Sequence, residues 1–239
     1  MFLKVLKHEL RGLTRDRMYL FFVIYEVILI VAATFLLPYL EDVSGPLAMQ
    51  IAMIVFLLMS GIVFGAITGF TILDDQDDGV MFSLRVTPIN VKMYIGFKLL
   101  ASYIFSIIGT LALLIITGIY DGVPFLDYAM LVVLASLQAP FIALVMTTFA
   151  SNKVEGFVYM KLTGLTLAGP ILALFLSDAR EFLVSIFPGF WPARLLIMEM
   201  TQATFTFQSS WIYFILGLAF NLAIIYAFMK LFSKKHQLQ

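Results

Sequence analysis

The chain contains no cysteine, which excludes disulfides, thiolate metal sites and thiol catalysis. Its two histidines, His8 and His236, stand at opposite ends of 239 residues, so no histidine-rich metal site is expected. Charge is also scarce, at 13% of residues, against about 25% in a typical soluble domain. No polar stretch is long enough to form a separate soluble domain. No Gly-x-x-x-x-Gly-Lys-Ser/Thr run is present, whose backbone amides and lysine would surround nucleotide phosphates. A cleavable signal peptide is not expected either, because the first seventeen residues are polar and amphipathic and no small-residue cleavage site follows the first apolar run. Apolar side chains dominate what remains: 62% of residues are hydrophobic and mean hydropathy is +1.02. One core of this size cannot bury so much apolar surface, so lipid has to cover the rest.

A membrane-crossing helix needs about 20 apolar residues. Six stretches qualify, over 18–40, 47–70, 93–119, 128–150, 156–176 and 211–232. The expected fold is therefore all-α, with six transmembrane helices. Lysine and arginine set the orientation. Thirteen of the fifteen fall in the N-terminal tail, the second link, the fourth link and the C-terminal end, with their flanks; the other two are Arg180 and Arg194. An even span count puts both tails on one side, and the basic bias makes that side the cytoplasm. Residues 2–17 alternate apolar Phe2, Leu3, Leu6, Leu10 and Leu13 with Lys4, Lys7, Arg11 and Arg15, the pattern of a helix lying in the membrane surface. The same residues could serve only as a positive-inside anchor. The domain reading is an interfacial helix at 1–17 followed by a six-span domain at 18–239.

Several residues inside the spans invite attention. Glu26 lies about 12 Å along the first span at 1.5 Å per residue. An ionisable group there is expensive and faces protein or water, either as a cavity carboxylate for a cationic part of a cargo or as a hydrogen-bonded packing residue. Gly61, Gly65 and Gly69 repeat every four residues in span two, a spacing that lets helices approach closely. Pro140 and Pro170, each within a span, predict kinks. Residues 177–210 are half apolar yet interrupted by Asp178, Arg180, Glu181, Arg194 and Glu199, so they cannot cross in the ordinary way; half-inserted helices shielded by the bundle are one solution.

The link between spans two and three is the most informative. Asp74, Asp75, Asp77 and Asp78 cluster where basic residues are expected. A calcium loop counted from Asp74 fails, because position twelve is Arg85 rather than a bidentate glutamate. Asp77 and Asp78 instead precede the run 79–86, with apolar Val80, Met81, Leu84 and Val86, and Pro88 closes it. This predicts a short amphipathic helix against the inner membrane face, with the two carboxylates in its first turn, where the helix dipole favours them.

The order of acidic cluster, Gly79, Leu84, Thr87-Pro88-Ile89 and then a Lys98-bearing span resembles the first cytoplasmic loop of ABC-2 type permeases, the membrane subunits of one class of ATP-binding-cassette exporter. The layout resembles them over nearly the whole chain. Asn152-Lys153-Val154-Glu155-Gly156 is similar to the turn before span five in the drug-export branch, which includes fluoroquinolone-export permeases, and Phe-Pro-Gly-Phe-Trp-Pro at 187–192 is similar to that branch's outer link. Asp-Gln-Asp-Asp stands where the commoner pattern has Glu-Arg-Glu before the glycine. The resemblance implies that 79–86 is a coupling helix docking on the ATPase, with Asp77, Asp78, Gly79, Met81, Phe82, Leu84, Arg85, Thr87 and Pro88 as the ATPase-coupling residues. It implies that 2–17 is the elbow helix and that 177–210 forms short re-entrant helices. It also implies an exporter of hydrophobic or amphipathic cargo (drug, peptide or lipid) in a prokaryotic cell membrane. The working unit would be two permeases, of the same or related chains, with two ABC ATPase subunits. This chain would carry no catalytic residue, no metal and no cofactor; ATP and Mg would be bound by the partner ATPase. Membrane lipid is the other expected partner, and nucleic acid is not one. The alternative is a secondary transporter driven by an ion gradient, for which Glu26 is the one clear intramembrane ionisable group.

Overall fold

The computed structural model describes residues 16–85, 90–176, 178–203 and 205–236. Six helices among them are long and apolar enough to cross a membrane, and among the described residues there is no strand. Span one is α1, Arg17–Ser44, and span two is α2, Pro46–Asp77. A short helix α3, Val80–Arg85, precedes span three, α4, Val91–Thr117. Span four is two consecutive pieces, α5 Phe125–Ser136 and α6 Gln138–Phe149. Span five, Lys153–Ala173, is broken into α7 Lys153–Thr163, a 3-10 turn Gly164–Leu167 and α8 Ala168–Ala173. After a 3-10 turn at Ala179–Leu183 come α9, Phe190–Thr201, and span six, α10, Ser210–Lys235.

Local chemistry explains the boundaries. Asp16 caps α1 by accepting from the Met18 amide at 2.7 Å, and Asn90 caps α4 by accepting from Lys92 at 2.8 Å. Between α1 and α2, Gly45 takes φ 82°, a left-handed conformation open to glycine, and Pro46 starts the next helix where its missing N–H is no loss. The expected kinks at Pro140 and Pro170 are present as breaks. Pro140 cannot donate to the Ser136 carbonyl, and span four is interrupted at Leu137. Pro170 cannot donate to Thr166, which lies in the 3-10 turn of span five. Pro38 sits inside α1 without ending it.

Spans two and four form the centre. In the most apolar window of span four 83% of residues are buried, and 67% in span two, against 28% in spans one and five and 17% in span six. The outer four helices therefore turn most of their apolar surface outward, as lipid-facing or partner-facing helices do. Gly61, Gly65 and Gly69 line the face of α2 against span four. A Cβ on Gly65 would come within 2.6 Å of the Ala139 carbonyl oxygen, and one on Gly61 within 2.7 Å of Gln138 Cβ. The two central helices thus meet almost backbone to backbone.

Candidate functional site

One end of the bundle gathers the start of spans one, three and five and the end of spans two, four and six. Sequence hydropathy ends span two near residue 70, but α2 continues through Asp77. The extension holds because its carboxylates find partners on three other spans. Asp75 accepts from buried Lys98 on α4 at 2.6 Å and from the Tyr94 hydroxyl at 2.9 Å. Lys98 also donates to the Thr71 carbonyl at 3.3 Å and is 1% exposed. Asp74 pairs with Lys153 at the start of span five at 2.6 Å, and the Tyr19 hydroxyl of span one donates to its other oxygen. Lys235, at the end of span six, donates to the Ala150 carbonyl at 2.9 Å. All six spans are tied into this end.

The Asn152–Gly156 motif acquires a physical meaning here. Asn152 caps α7 by accepting from the Glu155 amide at 3.0 Å, while Glu155 accepts from the Ser151 amide at 2.7 Å. Lys153 reaches Asp74, and a Cβ on Gly156 would lie 2.6 Å from Leu73 Cδ1, so glycine lets α7 close on α2.

The expected placement of Asp77 and Asp78 in the first turn of the short helix is corrected. Asp77 is the last residue of α2 and Asp78 its C-cap, with the Asp78 amide donating to the Asp74 carbonyl at 2.8 Å. Both side chains are exposed. Gly79, at φ 69°, turns the chain, and α3 begins at Val80 with no acidic residue in its first turn. Met81 is buried, and Met81 and Leu84 pack on a cluster of Ile72, Val91, Ile95, Leu99, Leu144 and Phe232, while Ser83 is exposed. Thus α3 lies flat across the end of the bundle. Asp77, Asp78 and Ser83 face out, and Met81 and Leu84 face in. The side chains of Phe82 and Arg85, all of Thr87 and Pro88, and residues 1–15 of the expected interfacial helix lie outside the described residues.

Deeper in the bundle, Glu26 is buried and accepts from the Ser60 hydroxyl at 2.6 Å. Its carboxylate faces α4, where a Cβ on Gly109 would come within 2.9 Å of Oε1. Its second oxygen, and the Ser106 and Thr110 hydroxyls on α4, are buried without a hydrogen-bond partner among the described residues. Glu26 therefore sits at a junction of spans one, two and three.

The opposite end is closed by residues 178–203. Arg194 of α9 pairs with Glu181 at 2.8 Å, and both side chains are almost fully buried, at 1% and 0% exposure. Arg194 also donates to the Ala173 and Leu176 carbonyls at 2.9 and 2.8 Å, satisfying the end of broken span five, and stacks 3.8 Å from the Phe205 ring centroid. Tyr213 of span six donates to the second Glu181 oxygen. The turn before α9 reaches far in: Asn221 donates to the Pro188 carbonyl at 3.4 Å, and Asn221 is eleven residues, about 16 Å, along span six. Gln138 of span four donates to Asn221 at 3.3 Å. By contrast Asp178 and Arg180 pair on the surface, and the guanidinium hydrogen bonds hold the Asp178 carboxyl below the ordinary range. Sequence reading singled out Glu181 and Arg194 as interruptions; their charges cancel inside the protein. Tyr213, Asn221, Gln138, Tyr19 and Tyr94 carried no signal in sequence.

A bundle with these elements is a multi-pass membrane protein. The model of the Rv2686c-like fluoroquinolones export permease family matches residues 9–229, and the chain belongs to that family. Two relatives, the fluoroquinolones export permease proteins Rv2686c and MT2760 from two strains of Mycobacterium tuberculosis, are each 28% identical over 242 residues, covering 96% of this chain and 93% of the relative. No solved structure matches the chain.

Proposed function

We propose that this chain is the membrane subunit of an ATP-driven drug exporter and that its basic end is cytoplasmic. Its relatives are named for fluoroquinolone export, and a drug of that kind is the first cargo to test. The observation that carries the reading is the corner at residues 77–85. It is a short helix seated on the bundle by Met81 and Leu84, with Asp77, Asp78 and Ser83 outward, at the end of a span ion-paired to spans three and five. A push on this corner by a separate ATPase would move those spans together. In this reading the ATPase supplies ATP and Mg, two permeases and two ATPases make the working unit, and residues 178–203 form the re-entrant plug on the outer side. Met81 and Leu84 then anchor the coupling helix, and the outward residues meet the partner.

Everted membrane vesicles from cells producing the permease and its ATPase should accumulate a fluoroquinolone on addition of ATP, with vanadate blocking it. The second reading, gradient-driven transport, is favoured by one observation, the buried Glu26 with an unpartnered oxygen. Uptake driven by a pH gradient without ATP, and lost in Glu26→Gln, would establish that reading instead.

A further inference from the structure

A cavity of about 330 Å³ lies between spans one, two and five, a volume within the usual range for one small-molecule site. Its walls include Phe21, Phe22, Tyr25, Met59 and Met160, and the one charged lining residue is Lys161. Lys161 lies eight residues, about 12 Å, beyond Lys153, so its backbone stands along the span rather than at its end. It is exposed and makes no ion pair among the described residues. No Asp or Glu lines the cavity. The nearby carboxylate of Glu26 is turned away, bonded to Ser60 and packed toward Gly109. An uncompensated ammonium beside hydrocarbon is unfavourable, and an anionic guest would relieve it.

We propose that this cavity binds a small aromatic acid, with its rings between the Phe and Tyr faces and the two thioethers and its ionised acidic group on Lys161. Aromatic faces and methionine sulfurs suit flat rings. The volume is too small to enclose a two-chained phospholipid. The cavity lies in the half of the bundle that holds the basic end, since Phe21 is near the start of span one and Lys161 follows Lys153 by eight residues. Calling the guest cargo rests on the export reading; its binding does not.

The test uses the full chain in phosphatidylcholine nanodiscs, irradiated with 4-benzoylbenzoic acid or with neutral 4-methylbenzophenone, and peptide mass spectrometry to locate adducts. The acid should label the peptides bearing Met59 or Met160 at least fivefold more than the neutral probe. Lys161→Met should erase that difference and Lys161→Arg should keep it. Gly164 also lines the cavity, and a Cβ there meets open space, so Gly164→Leu should obstruct the cavity without a clash and reduce labelling by both probes. If Lys161→Met fails to fold, the two probes on the unmodified chain and on Gly164→Leu still decide. Equal labelling by acid and neutral probe, labelling unaffected by Lys161→Met, or loss of acid labelling when phosphatidylglycerol replaces phosphatidylcholine would overturn the proposal, the last in favour of an anionic lipid. Preserved acid labelling in a protein that exports nothing with ATP would leave the cavity assignment intact and remove only the export reading.

Discussion

The two ends of this bundle are fastened by opposite electrostatic designs. At the far end the Arg194–Glu181 pair lies almost wholly out of solvent, its arginine also satisfying two carbonyls of a broken span, while Asp178 and Arg180 pair on the surface. At the basic end two pairs share the work, Lys98 with Asp75 and Lys153 with Asp74, and exposure rises from the first to the second. A dry pair has no water to replace a lost partner, so its removal is severe. The Lys153–Asp74 pair is partly wet and tolerates loss, and the adjoining Asp77 and Asp78 stay exposed.

Removing one partner at a time tests the contrast. Arg194→Met should have the largest effect, about 3–5 kcal/mol of stability, because Glu181, fully buried, is left without a counter-charge and keeps only the Tyr213 hydroxyl. A double change to Arg194→Met with Glu181→Leu should recover much of that, as read by thermal unfolding in detergent. Equal damage by the single and double variants would mean that packing, rather than charge, holds residues 178–203 in place. Lys98→Met should cost about 1.5–3 kcal/mol, the range for a hydrogen bond to a charged group, since Asp75 keeps Tyr94. Lys153→Ala, at the most exposed pair, should cost about 0.2–1 kcal/mol. Should Lys153→Ala prove as damaging as Arg194→Met, the distinction between the ends would collapse.

Much of this was legible in the sequence where the signal is local. Six apolar runs give six spans, and Pro140 and Pro170 mark the breaks in spans four and five because a missing N–H acts within four residues. The boundary of span two was not legible. Hydropathy stops near residue 70, and what carries the helix on to Asp77 is pairing with Lys98 and Lys153, which lie 23 and 79 residues from Asp75 and Asp74. The acidic cluster likewise reads as one feature in sequence and is two in space: Asp74 and Asp75 are structural, while Asp77 and Asp78 face outward. Glu181 and Arg194 look like obstacles to burial because thirteen residues separate partners that the fold brings to 2.8 Å.

The smallest stability effect is expected at Asp77 and Asp78, within about 0.5 kcal/mol for exposed positions away from any pair. The account's central claim is that these two face a partner ATPase. The most direct measurement is affinity purification of the tagged chain from its native membrane in mild detergent, comparing the unmodified protein with Asp77→Lys and Asp78→Lys combined, alongside its unfolding temperature. A stoichiometric ATPase should accompany the unmodified chain and be lost in the variant, with the unfolding temperature unchanged. An ATPase retained at full stoichiometry by a correctly folded variant would contradict the assignment of this corner as the coupling surface.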